Sequence, residues 1–444
     1  MAIHKPVLFA TRCGKQLGNE VAVEFSKYLF GYLFRDELKL PKLMTQHRLE
    51  TEEERVKHIR RNNLEMFGDE DFHLCYSRIG NFSDGEVRFD LRDYKLQNGD
   101  MMSNSVREKD VVIIHSPYEP PFFSIDELVG LLTSDQFNDP EQVKKLLKDN
   151  EKRRSVNENT MELLFVASTL SQWANSITLV SPYHPYSRQD HMIGREGISA
   201  RTLAELYQTA GINQCIFFDL HSKQIEGFFP RGMSENLSAS PVLLEAIARD
   251  MGIHGYKRGK AKREHTQIKY SELGLSSDYV IASPDAGGTQ RARYYAKVFG
   301  TDLVIGDKRR PKPNEVAEIR IIGDVASKNV YVIDDIIDTA GTMDNFARRA
   351  KSQSARRIIF VATHALFTGS AVDRLDKLHN DEVLDKVIVT NSVYRDADYA
   401  CKHKWFQVES IAPLIAKALY ELTTGGSLSN VHERNYEPET VVFK

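Results

Sequence analysis

The sequence predicts an α/β protein of two domains, each a mostly parallel sheet flanked by helices, and three observations carry that prediction. The first is alternation. Short runs rich in Val, Ile or Phe at residues 111–114, 176–180, 214–218, 279–282, 303–305, 330–333, 357–362 and 386–389 are separated by longer stretches. The second is that most of these runs lead through a turn into a helix-like pattern, as at 199–209 and 289–298. Strands alternating with helices imply βαβ units and a parallel sheet covered on both faces. The third is length: 444 residues and so many units exceed what one small sheet and one core hold.

Composition narrows the function classes. Hydrophobic residues make up 41% and charged residues 27%, with 15 Pro and 26 Gly, which is ordinary globular usage. The net charge of -3 supplies no global field toward nucleic acid or an acidic membrane, so neither is expected as a partner. Cys13, Cys75, Cys215 and Cys401 are too scattered for a CxxC pair and too few to staple the chain. Residues 1–10 are too short and interrupted for a signal peptide, and no apolar run approaches the roughly 20 residues that span a bilayer. A cytoplasmic protein is the expectation.

Three polar segments, 35–76, 118–155 and 254–277, are the least regular parts. Mixed charges at helical spacing in 50–63 and 139–154 read as solvated surface helices. The third segment carries Lys257, Arg258, Lys260, Lys262 and Arg263 without interleaved aromatics, which reads as a solvated basic loop.

Residues 330–342 carry the strongest chemical signal: Val-Tyr-Val-Ile-Asp-Asp-Ile-Ile-Asp-Thr-Ala-Gly-Thr. An apolar strand ends in Asp334 and Asp335, which can accept hydrogen bonds from sugar hydroxyls. Asp338, Thr339, Ala340, Gly341 and Thr342 then offer backbone N–H groups, two hydroxyls and a helix N-terminus to a phosphate. Two hydroxyl acceptors beside a phosphate cradle describe a ribose phosphate. A capped strand–helix turn would use similar residues, and the acidic pair on an apolar strand favours the functional reading. His221 follows the run 214–218 and Asp285 the run 279–282, so both fall at strand ends where α/β ligands bind. An imidazole and a carboxylate could hold Mg²⁺ with nucleotide phosphates and water in its other positions, although a lone strand-end His is more often a structural residue.

Five further blocks occur in order: Phe-Ser-Asp-Gly-Glu at 82–86, Pro-Tyr-Ser-Arg-Gln-Asp at 185–190, Asp-Leu-His-Ser-Lys-Gln-Ile-Glu-Gly-Phe-Phe at 219–229, Ser-Pro-Asp-Ala-Gly-Gly at 283–288 and Asp-Lys-Arg-Arg at 307–310. With these, residues 330–342 resemble the phosphoribosyl pyrophosphate loop of the type I phosphoribosyltransferase fold, and the chain resembles the ribose-phosphate pyrophosphokinase family. The resemblance implies two phosphoribosyltransferase-like domains, 1–234 and 235–444, with the last helix, about 411–422, packing back on the first. It implies transfer of the β,γ-diphosphoryl group of MgATP to the 1-hydroxyl of ribose 5-phosphate. Lys308 and Arg310 would be catalytic, on a flap running to about Arg320. Arg188, Gln189 and His221 would bind ATP, with Phe82, Asp84 and Glu86 reaching adenine from a neighbouring subunit of a homo-oligomer. His221 and Asp285 would meet the metal, and 334–335 with 338–342 the ribose 5-phosphate.

The sequence departs from that family in three places. Residues 191–195 are shorter and less basic than usual. Lys223 and Glu226 stand where small or neutral residues of an allosteric phosphate site are common, and the Glu226 carboxylate would repel an anion. The segments 35–76 and 118–155 are insertions into the first domain. Three alternatives stay open: a non-catalytic regulatory relative, a phosphoribosyltransferase, which would leave Arg188, His221 and the 308–310 cations unexplained, and a structural scaffold with a remnant site.

Overall fold

The computed structural model describes residues 6–36, 78–84, 86–91, 94–95, 101–102, 105–118, 154–253, 274–309, 318–395 and 397–431. Strand β1 (Val7–Ala10) passes through a short 3-10 turn into helix α1 (Lys15–Asp36). Two antiparallel hairpins follow, β2 (Arg78–Asn81) with β3 (Val87–Asp90) and β4 (Tyr94–Lys95) with β5 (Met101–Met102). The first large sheet is completed by β6 (Asp110–Ile114), β7 (Ser176–Val180), β8 (Gln214–Phe218) and β9 (Ser234–Leu237), with α2 (Val156–Leu170) and α3 (Ser199–Thr209) between them. It is parallel throughout, in the order β1-β6-β7-β8-β9. A capping box starts α2: Glu158 N–H donates to Ser155 Oγ, and Ser155 N–H returns to Glu158 Oε2.

Helix α4 (Ser240–Asp250) crosses to the second sheet. Its strands are β10 (Tyr279–Ser283), β11 (Asp302–Arg309), β12 (Glu318–Ile322), β13 (Asn329–Ile337), β14 (Arg357–Ala365), β15 (Lys386–Thr390) and β16 (Phe406–Glu409). They lie in the order β12-β11-β10-β13-β14-β15-β16, and all pair in parallel except β12 with β11. Helices α5 (Thr289–Phe299), α6 (Gly341–Ser352), α7 (Ala371–Asn380), α8 (Ala397–Lys402) and α9 (Ala412–Thr423) complete this half.

The two sheets share a core. Ile216 and Phe218 of β8, Leu243 and Ile247 of α4, Tyr331 and Ile333 of β13 and Ile415 and Leu419 of α9 are buried in one continuous apolar cluster. At about 1.5–3 kcal/mol for each fully buried large side chain, that shared layer couples the halves strongly. Helix α9 packs along α1, where the rings of Tyr28 and Tyr420 stack at 5.8 Å. The outer face of the first sheet packs under α2 and α3, and that of the second around Phe346, Leu375 and Trp405.

Each run expected to be a strand is one, but β11 and β13 extend further, to Arg309 and Ile337. The stretch expected to be a flap is therefore a strand at its root. Lys308 sits in β11 opposite Ile319 of the antiparallel β12, a pairing that period-based reading did not anticipate. Arg310 and residues 311–317 lie outside the described residues. So do the helices expected at 50–63 and 139–154, apart from Arg154, and the basic loop at 257–263. Among the described residues no helix is long and apolar enough to cross a membrane. No disulfide joins Cys13, Cys215 and Cys401.

Candidate active site

The C-terminal ends of β8 and of β13 and β14 meet where the sheets face each other. His364, buried in β14, donates from Nε2 to the Phe218 carbonyl at 3.0 Å, joining the second sheet to the end of the first. One residue on, Asp219 turns into a left-handed backbone conformation with φ of 43°. Its carboxylate accepts from Thr363 Oγ1 at 2.6 Å, Ser238 Oγ at 3.0 Å and Ala239 N–H at 3.0 Å. This bend carries His221 across the interface, where Nδ1 donates to Asp335 Oδ2 at 2.8 Å.

The acidic pair at the end of β13 is not symmetric. Asp335 is buried, with His221 on one oxygen and Arg291 Nη1 on the other at 3.1 Å. Asp334 accepts the Asp335 N–H at 2.9 Å and lies 3.9 Å from Arg291. Burial and the adjacent Asp335 charge push the Asp334 carboxyl well above the usual carboxylate range. Burial opposes the charge of Asp335 too, but the His221 hydrogen bond and the Arg291 guanidinium hold its carboxyl far below that range. The same hydrogen bond raises His221 above its ordinary value, against the effect of burial.

Beyond the pair, the loop 338–342 opens α6, with Ala340 in the left-handed region at φ of 58°. A non-glycine residue there costs about 1–2 kcal/mol, so the surroundings hold the turn. Thr368 Oγ1 and Arg188 Nη1 both bond the Asp338 carboxylate, and Thr368 N–H donates to the Asp338 carbonyl at 3.0 Å. Arg374 Nη1 donates to the Thr339 carbonyl at 2.8 Å. Arg188 belongs to the first half and Asp338 to the second, so this contact is another bridge between them.

The structure thus gathers His221, Asp334, Asp335, Arg188 and the loop 338–342. Asp285 lies two residues past the neighbouring β10, where its Oδ1 accepts the Gly288 N–H at 3.1 Å just before α5. Gln189 is exposed beside Arg188. Phe82, Asp84 and Glu86 are not joined to this cluster: Glu86 N–H donates to Asp84 Oδ1 at 3.0 Å, Phe82 N–H to the Glu86 carbonyl at 2.8 Å, and Arg88 lies over the Phe82 ring. Arg291, Thr363, Thr368 and Arg374 went unseen in the sequence, and Asp219 stood in the 219–229 block without a role. Arg291 stands three residues after the Ser-Pro-Asp-Ala-Gly-Gly block, a weak cue; the others meet their partners only through the fold.

Among the described residues no three His, Cys, Asp or Glu side chains converge as a metal cage. The donor set fits a metal that arrives with a nucleotide and is completed by phosphate oxygens and water, and His221 Nε2 and the Asp285 carboxylate are of the right kind for it.

Two α/β halves meeting at their strand ends over an acidic strand and a helix-opening loop form a protein of the phosphoribosyltransferase fold. Residues 47–211 match the model of the N-terminal domain of ribose phosphate pyrophosphokinase, and residues 280–433 that of the phosphoribosyl synthetase-associated domain. The ribose-phosphate pyrophosphokinase of Chromobacterium violaceum is 34% identical over 363 residues, covering 81% of this chain and 88% of the relative. That of Helicobacter pylori is 34% identical over 362 residues, covering 81% and 89%. A phosphoribosylpyrophosphate synthetase structure from Mycobacterium smegmatis superposes with a TM-score of 0.62 at 24% identity, covering 95% of this chain and all 100% of that one, which supports the fold. The chain belongs to the ribose-phosphate pyrophosphokinase family and is an enzyme of that class.

Proposed function

We propose that this ribose-phosphate pyrophosphokinase transfers the β,γ-diphosphoryl group of MgATP to the 1-hydroxyl of ribose 5-phosphate, releasing AMP, at the junction of its two halves. The observation that carries the assignment is the His221–Asp335 hydrogen bond at 2.8 Å, which sets a nucleotide-side residue of one half against a sugar-side residue of the other. Ribose 5-phosphate lies with its phosphate in the loop 338–342, where backbone N–H groups and the start of α6 favour an anion. Asp335 already accepts from His221 and Arg291, so its main work is to tie the halves together. Asp334 is the less committed carboxylate and accepts the ribose hydroxyls.

Arg188 and Gln189 line the ATP side. Mg²⁺ enters as part of MgATP, with His221 and Asp285 as protein contacts, and neutralises charge on the phosphates when bound. Lys308, near the end of β11, and Arg310, two residues on, supply cations around the transferring group. The sugar O1 attacks the β-phosphorus in line with the leaving AMP oxygen. No side chain becomes a covalent nucleophile, and the rate comes from alignment and charge stabilisation. The hairpin of Phe82, Asp84 and Glu86 closes on adenine of a neighbouring subunit, which makes the working enzyme a homo-oligomer with shared ATP sites.

The test is AMP release from ATP and Mg²⁺, with and without ribose 5-phosphate, in wild type and Lys308→Ala. The expected outcome is release that depends on ribose 5-phosphate and falls by about 100-fold or more in the variant. Wild-type rates in Lys308→Ala sink the catalytic assignment, and ATP binding without AMP release favours a regulatory relative.

A further inference from the structure

We propose that Arg374, on α7, is a positioning residue that aims the backbone of the ribose-phosphate loop, an inference that rests on ribose 5-phosphate being the ligand of residues 338–342. The chain contains no cis peptide among its described residues, so the Thr339 carbonyl and the Ala340 N–H, which belong to one planar trans peptide, point in opposite directions. Arg374 Nη1 holds that carbonyl at 2.8 Å, on the side of the loop that faces α7. Fixing the oxygen outward fixes the Ala340 N–H toward the other side, the side from which a phosphate would be bound.

Two further contacts show that the guanidinium is itself placed. Asp344, in the first turn of α6, lies 3.6 Å from Arg374 Nε and also accepts from Arg348 Nε at 2.7 Å. A side chain on Gly341 would bring its Cβ to 3.0 Å from Arg374 Nη1, so the glycine leaves the room the guanidinium occupies. The left-handed Ala340 sits between these anchors. Without the outward pull on the carbonyl, that peptide is free to rotate, and the loop loses one of its aligned donors before any ligand arrives.

Arg374 bonds the loop backbone rather than the substrate. Its removal should weaken ribose 5-phosphate selectively and leave the nucleotide side alone. Arg374 is about one-third exposed, at 32%, so its substitution is compatible with folding.

The experiment compares wild type, Arg374→Met and Arg374→Lys in ribose-5-phosphate-dependent AMP release, with ribose 5-phosphate binding measured in parallel by calorimetry. The expected result for Arg374→Met is a KM and a Kd for ribose 5-phosphate raised about tenfold, the scale of one lost charge-assisted hydrogen bond, with KM for ATP changed less than about twofold. Arg374→Lys keeps a cation and one reachable donor, and should recover part of the loss. Unchanged ribose 5-phosphate parameters in Arg374→Met, or equal changes for both substrates, overturn the proposal. A wild type that releases no AMP in response to ribose 5-phosphate overturns the reaction assignment, and this inference with it.

Discussion

The two halves each send a strand through a short turn into a helix, and they use that turn in opposite ways. After β1, Thr11 N–H donates to the Ile114 carbonyl at 3.1 Å, Gly14 N–H to the Thr11 carbonyl at 3.0 Å and Arg12 N–H to Glu162 Oε1 at 2.9 Å. Thr11 Oγ1 lies 2.9 Å from Nδ1 of His115, which burial pushes down to about 3 and so keeps neutral. A Cβ on Gly14 would fall 2.1 Å from the Ile114 carbonyl oxygen, so the turn packs directly against the end of β6. After β13 the anchors come from outside the turn: Thr368 and Arg188 on Asp338, Arg374 on Thr339. The lesson is that topology alone does not make a phosphate site. The turn whose amides are taken up by protein acceptors, at Ile114, Glu162 and Thr11, is structural, and the turn whose carbonyls are held from behind keeps its amides for a ligand.

Substitutions at the two turns can break that contrast. Asp335→Ala removes the anion shared by His221 and Arg291 and is expected to cut AMP release by about 100-fold, read in a steady-state assay. Near-normal turnover would mean that the halves do not communicate through this pair. At the other turn, Glu162 is fully buried and bound by Arg12 and Arg154, so Glu162→Ala should lower stability by about 3 kcal/mol in urea unfolding. A smaller stability loss than that of Asp335→Ala would contradict the structural role assigned to the first turn.

The smallest expected effect is a control remote from both turns. Asp250 on α4 accepts from Lys386 Nζ at 2.6 Å and Tyr331 Oη at 2.7 Å, with Arg357 Nη1 at 3.3 Å. Burial opposes its charge, but these partners hold its carboxyl below the ordinary range. A depressed folded value means that the contribution is present above the unfolded pKa, near 4, and is lost as pH falls through the folded one. Asp250→Asn should therefore lower stability by about 1 kcal/mol at pH 7, and the gap in melting temperature should close below about pH 4. A gap that persists unchanged into acid would show that the ion pairs are not its source.

Much of the second half was legible because its central strands are buried on both faces and read as continuous apolar runs. The acidic pair and the loop 338–342 stood out against such a run. The edges did not: β9 is Ser-Glu-Asn-Leu and β16 is Phe-Gln-Val-Glu, too short and polar to separate from loops. The anchors behind the site escaped for another reason. Thr363 meets Asp219 across 144 positions, and a threonine in an apolar strand carries no local sign of its partner. Lys308 was found by resemblance, whereas its place in an antiparallel ribbon required the register with Ile319.

The packing of α1 against α9 bears on how the chain is made. A helix written in residues 15–36 finds its neighbour in residues 412–423, far along the chain. During translation the first half can form its sheet, but the side of α1 that receives α9 stays exposed until residues 412–423 have been made. Such distant contacts slow folding and prolong the exposure of apolar surface. A helix of the half that is made first thus waits for a partner made much later.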